Sequence, residues 1–229
     1  LHNQGITLLK EAEAAQEDST RRRFYAEAAS WFKRADQLDP EALDNVYNLG
    51  LVYFQLVSLG DSTHAGDARE TFERFLVRAE KKEERANTLY QLTLLEIRAK
   101  DWDKADEYAD RFIAADPHDP TAYQLKAVAT TERGKAELSE AYIIFYNSLE
   151  KGKPVENLDA WLGQAKTRYG ATGDVAKALK EKGTPEEVRS YTDSSGNDMD
   201  SFFYWSKGEA IAFYGGNKRG ALAFPAQTP

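Results

Sequence analysis

Apolar positions over the first two thirds of the chain recur at helical spacing and fall into short blocks. Ala28, Phe32 and Ala35 lie three or four residues apart and stop at Pro40, while Leu49-Gly50 and Tyr53 open the next block. Ala68, Phe72 and Phe75 complete it. Such spacing puts apolar side chains on one face of a helix, and proline, lacking an amide donor, cannot continue one. Leu89, Leu92, Trp102, Ala105, Phe112 and Pro117 repeat the pattern, as do Tyr123, Ala127, Gly134, Ala141 and Phe145. Gly5 and Leu8 precede Ala28 in the same way. The pattern therefore predicts four helical hairpins over residues 1–152. Beyond Gly152, helical spacing persists through Leu158, Trp161, Leu162, Ala165 and Tyr169, with a second short helix over 174–180. This terminal hairpin is expected to close the end of the stack, because repeat arrays need caps.

From Gly183 the period changes. Thr184-Pro185-Glu186-Glu187 reads as a helix start, with Thr as cap, Pro in the first turn and Glu reaching back. Turn clusters at DSSGND, SKG and GGNKRG then separate runs rich in aromatic and β-forming residues. These predict strands at 189–192, 199–205, 209–214 and 221–224, an antiparallel meander. Alternation puts Phe202 and Tyr204 on one face, Phe203 and Trp205 on the other. One aromatic face is expected to dock on the Trp161 helix while the other stays available. The domain organisation expected is a helical repeat array with its capping helices over 1–182, and a small β-rich module over 183–229.

The repeated blocks resemble the tetratricopeptide repeat (TPR). In that pattern Leu-Gly and Tyr mark a first helix, and Ala, an aromatic, Ala and Pro mark a second. Gly50 and Ala28 would let helix backbones approach, with Phe32 and Tyr53 filling the space beside them. The fold class implied is mainly α: a TPR solenoid of about four repeats plus capping helices, ending in a small antiparallel meander. Departures are visible. Thr93 stands where Gly is expected and Ala109 where an aromatic is, Phe75 replaces a small residue, and Lys126 replaces the Leu of Leu-Gly. Gly and Ala stand about twelve apart in the family, whereas Gly5 to Ala28 is twenty-three and Gly50 to Ala68 eighteen. The fourth repeat carries a two-residue excess. The excess falls between the two helices of each hairpin, as longer helices with tolerated turns or as insertions at one edge.

The tail is similar to the C-terminal meander of small bacterial outer-membrane lipoproteins through Gly183, Pro185, Val188, Tyr204, Trp205, Gly208 and Phe213. That resemblance tilts an otherwise open compartment toward the bacterial cell envelope or periplasm over the cytoplasm. The chain also opens inside a helical pattern, LHNQGITLLKEA, which implies residues upstream, a signal peptide or lipoprotein leader among the candidates.

Composition narrows the partners. Net charge is −8 and the longest basic cluster, Arg21-Arg22-Arg23, sits among acidic residues. Nucleic acid is not expected, since it demands a basic stripe. The absence of cysteine removes thiolate metal sites and cysteine nucleophiles. No apolar run is long enough for a membrane span.

Candidate chemistry is sparse. His2, His64 and His118 never fall at ligand spacing with one another. Asp193 to Asp200 resembles a calcium loop but lacks the alternating ligands and the closing bidentate Glu. Gly170-Ala-Thr-Gly173 has no preceding strand to make it a phosphate loop. The expectation is a non-enzyme with no cofactor and no metal site.

In the TPR family the first helix of each hairpin lines a concave groove. The resemblance places Tyr47, Leu51, Tyr90, Leu94, Gln124 and Val128 on that lining, with Asn48 and Gln91 beside it. Basic residues that grip a C-terminal carboxylate in chaperone-binding members are missing, so an acidic tail is not the expected ligand. Tyrosines among neutral and apolar neighbours suit an extended peptide or an apolar helix face, bound with weak salt dependence. The function expected is a protein or peptide-binding scaffold. The alternative is a structural subunit, in a cell-envelope assembly for example, whose groove is filled by its own chain. Self-association is left open.

Overall fold

The computed structural model describes residues 1–227, so positions 228–229 of the expected β-rich module lie outside it. The described residues form ten α-helices and a five-stranded antiparallel sheet whose four long strands come last. The architecture is thus mainly helical with a C-terminal meander. No helix among the described residues is long and apolar enough to cross a membrane. The chain divides into two compact units, Leu1–Asp101 and Trp102–Pro229.

The first unit contains α1 (His2–Ala14), α2 (Asp18–Leu38), α3 (Leu43–Ser58), α4 (Ala65–Arg78) and α5 (Lys82–Ala99). Two contacts fix its hairpins. A Cβ added at Gly5 would stand 2.7 Å from the Phe32 ring, and one at Gly50 2.7 Å from the Phe72 ring. Each phenylalanine therefore packs directly on helix backbone, and Ala28, Phe32, Ala68 and Phe72 are fully buried. The extra residues between Gly and Ala lengthen helices and leave short links. α2 runs for 21 residues, and only residues 59–64 separate α3 from α4. Ion pairs join separate helices. The fully buried Glu96 of α5 takes a bidentate bond from Arg69 of α4 at 2.5 and 2.9 Å, and Arg74 meets Asp36 at 3.0 Å. A buried carboxylate needs such a partner, because desolvation is costly unless it is offset.

The second unit begins with α6 (Trp102–Ala115), α7 (Pro120–Glu132) and α8 (Ala136–Glu150). Asp119 caps α7 by accepting from the Thr121 amide at 2.8 Å, and Pro120 fills the first helical position. Lys126 is 3% exposed, with its ammonium 2.7 Å from Asp106 and 2.6 Å from Asp110 of α6. A short strand, β1 (Lys153–Pro154), precedes α9 (Leu158–Tyr169) and α10 (Asp174–Lys182). The remaining strands are β2 (Glu187–Thr192), β3 (Asp198–Tyr204), β4 (Glu209–Tyr214) and β5 (Asn217–Ala223), paired in sequence order. Gly215 and Gly216, both at positive φ (53° and 78°), make the two-residue turn from Tyr214 to Asn217. Such turns require this backbone and favour glycine.

The tail and the helices before it depart from expectation in five places. No helix starts at Thr184; Glu187 instead opens β2 opposite Phe203, which puts Val188 into the core. The Glu186 carboxylate accepts from the Ser206 amide, and that of Glu187 from the Trp205 indole at 2.8 Å. β5 begins at Asn217 rather than 221, because Ala212 pairs with Gly220 and Phe213 with Lys218, leaving Arg219 as an extra residue. Trp205 leaves the strand in a single 3₁₀ turn. Finally, α9 and α10 do not close a helical stack. They pack on one sheet face, with Ala165, Val175 and Ala178 against Val188, Phe202, Tyr204, Ile211 and Phe213. Trp161 meets Phe202 edge-on at 5.6 Å. The opposite face is not available either, since α8 covers it. Phe145 lies 6.1 Å from Phe203, and Ser201 donates to Ser148 at 2.9 Å. The sheet buries aromatics on both faces, and two helical layers satisfy them.

Candidate functional site

In the first unit, the amino end of α3, the last turn of α4 with the link after it, and the first turns of α5 enclose an open concavity of about 870 Å³. Its floor is apolar. Leu43 and Tyr47 of α3 lie against Val46, Phe75 and Ala79, and the Tyr47 ring is 5.1 Å from Phe75 and 6.2 Å from Phe72. Burial, and secondarily the Glu84 carboxylate, raise the Tyr47 pKa, so its hydroxyl keeps its proton. Val77 lies on the lip, 84% exposed. The rim carries Asp44, Arg78, Glu80, Lys81 and Glu84. Weak salt dependence, expected from a lining with few charges, does not suit this concavity. A lining of first helices alone omits α4 and its link to α5, which supply Arg78, Glu80 and Lys81.

In the second unit α7 and α8 enclose a smaller concavity of about 350 Å³, lined by Gln124, Ala127, Val128, Thr131, Glu132, Ile143, Tyr146 and Asn147. Val128 and Ile143 are 40% and 42% exposed across it. A large apolar side chain left open to water is informative where several converge.

Tyr47 thus belongs to one concavity, and Gln124 with Val128 to the other. Asn48, Leu51, Tyr90, Gln91 and Leu94 are half-buried and line neither of the two. The Gln91 Oε1 is buried without a hydrogen-bond partner. Sequence reading missed Phe75, Val77 and Ala79 in the first concavity and Ile143, Tyr146 and Asn147 in the second. Phe75 carried a signal, as a ring where the repeat usually places a small residue. The others did not, because they come from second helices or, for Ala79, from the link that follows one.

Remaining polar groups are engaged locally. His64 stacks on Tyr53 at 5.2 Å and lies 3.2 Å from Asp67, and His118 packs on Trp205 at 4.0 Å. Among the described residues no three His, Cys, Asp or Glu converge on a metal position. Asp193 accepts from the Ser195 and Asn197 amides, both at 2.9 Å, and so caps its own turn. Asp200 is fully buried, with Ser190 donating at 2.6 Å and the Tyr169 hydroxyl 2.8 Å away. A hollow of about 520 Å³ between α10 and strands β4 and β5 contains two ion pairs, Lys182 to Glu209 at 2.7 Å and Lys177 to Asp174 at 3.0 Å. Comparison with protein-family models gives no match, and comparison with curated proteins gives none either.

Proposed function

We propose that this protein is a non-catalytic scaffold of tetratricopeptide-repeat type that holds segments of a protein partner in its concavities. One observation carries the reading. Of the five most exposed large hydrophobic residues among those described, Val77 lines the first concavity and Val128 and Ile143 line the second. Apolar surface placed in concave sites with polar rims is what an extended segment or an apolar helix face requires. The second concavity is lined by α7 and α8 alone, and the tail is used elsewhere, on the far side of α8 and under α9 and α10. This favours a separate partner over the chain's own tail as occupant there. The TPR assignment rests on Gly5 against Phe32, Gly50 against Phe72, and the recurring Ala and aromatic register.

The test is affinity capture with mass spectrometry, comparing the natural chain with Val77→Asn and with Val128→Asn/Ile143→Asn. All three should melt alike, since these side chains are exposed. At least one protein held by the natural chain should be lost from a variant. Identical captures from all three would contradict the proposal.

A further inference from the structure

We propose that the concavity beside Tyr47 selects an extended segment carrying Lys or Arg next to an apolar residue; this rests on the peptide-holding function above and adds the partner's charge. The two cations in the lining are already used. The Arg78 guanidinium donates to the Pro40 and Glu41 carbonyls at 2.6 and 2.9 Å and meets the Glu41 carboxylate at 2.7 Å. The Lys81 ammonium sits 2.7 Å from Glu84. Asp44 and Glu80, both exposed, make no ion pair or side-chain hydrogen bond among the described residues. Position in the first turn of α3 accounts for a carboxylate at Asp44. Glu80 stands just before the amino end of α5, which favours a carboxylate in the same way, and the two anions border the same apolar floor.

Leu43, Tyr47, Phe75, Val77 and Ala79 offer the contact area, and at about 870 Å³ the space exceeds one side chain. An occupant lying there strips water from both carboxylates, and that cost is offset only if it brings positive charge. A neutral segment leaves two desolvated anions, and an acidic one adds repulsion, so the same rim attracts one class and rejects the other. A second copy of a chain with net charge −8 is the wrong partner for this rim.

Fluorescence anisotropy with the full chain provides the test. The probes are three labelled peptides of equal length: alternating Lys and Leu, alternating Glu and Leu, and alternating Lys and Ser. The Lys/Leu probe should bind about tenfold or more tightly than either other probe, as expected for two partly desolvated charge pairs over an apolar contact. Asp44→Asn/Glu80→Gln should weaken the Lys/Leu probe about tenfold and close the gap to Glu/Leu. Val77→Asn should weaken it several-fold, roughly the value of one buried aliphatic contact. All substituted positions are exposed, so folding is preserved. Equal binding of Lys/Leu and Glu/Leu, with loss in Val77→Asn, overturns the charge selection but leaves the peptide groove standing. Lys/Ser binding as well as Lys/Leu, or indifference to both variants, removes the groove as well. Self-association in sedimentation that Val77→Asn abolishes assigns the site to a second copy and overturns the proposal.

Discussion

The sheet and the concavities begin from the same material, aromatic and branched side chains on an element's surface, and end differently. On the sheet, Phe202 lies under Trp161 and Phe203 lies between Phe145 and Trp205, whose ring stacks on it at 4.4 Å. Phe202, Phe203, Tyr204, Ile211 and Phe213 are all covered from within the chain. Around Tyr47 and across α7–α8, Val77, Val128 and Ile143 stay open to water. Covered surface contributes to stability and can be lost only by unfolding, whereas surface left open costs little to substitute and is free to bind. The two regions should therefore answer mutation in opposite ways.

The largest expected effect is at the sheet. Phe203→Ala removes a fully buried ring and should destabilise the second unit by about 3–5 kcal/mol, read as a lower midpoint in denaturant. A change below ~1 kcal/mol would mean that the α8 face of the sheet is not a true core. Glycine gives a sharper contrast. At Gly50 a new Cβ meets the buried Phe72 ring, so Gly50→Ala should cost about 1–3 kcal/mol in strain, less about 1 kcal/mol returned by helix propensity. Gly163, within α9, has nothing within 4 Å of such a Cβ, and Gly163→Ala should stabilise by about 0.5–1 kcal/mol. Opposite signs are the expectation, and thermal melts of both variants check it.

A pH dependence belongs to the covered region as well. Burial raises the Asp200 pKa, and Asp198 on its own strand adds to this; the Ser190 and Tyr169 hydroxyls and the Arg168 cation oppose it. Between its unfolded and folded pKa values the group is therefore neutral in the folded chain and charged in the unfolded one. The folded state then holds a proton that the unfolded chain gives up. Stability from this group is full below the unfolded carboxyl pKa and is lost as pH rises through the folded value. Asp200→Asn, neutral throughout, should lack that loss, and the difference in pH slope between the two proteins is the readout. The smallest effect is at the open surface: Val77→Asn and Val128→Asn should each change stability by no more than about 0.5 kcal/mol.

Much of the covered region was legible in the chain's own pattern. Gly5, Gly50, Phe32 and Phe72 follow the helical period, and the paired glycines at 215–216 announce their turn. The other face of the sheet was not legible, because α8 meets it through Ser148 and Ala141, which carry no aromatic or charged signal, and through Phe145, whose place in the repeat register pointed to packing between helices. Nor was Lys126, whose burial depends on Asp106 and Asp110 arriving from another helix. Thr184 to Glu187 misled because a good capping sequence lost to the burial of Val188. Of the residues lining the two concavities, Tyr47, Gln124 and Val128 could be placed from helix position. Val77 and Ile143 could not, since their convergence with first-helix residues depends on how each hairpin closes.

The central claim is that the open apolar positions contact a partner because of where they sit, and Leu38 supplies the control, being 77% exposed yet in neither concavity. A photo-crosslinking amino acid placed singly at 77, 128 or 38, in cells that express the full chain, tests this directly. Adducts of defined mass should form from 77 and from 128 and be weak or absent from 38. Equal labelling from all three positions would show that exposure alone is being read, and would contradict a built binding surface.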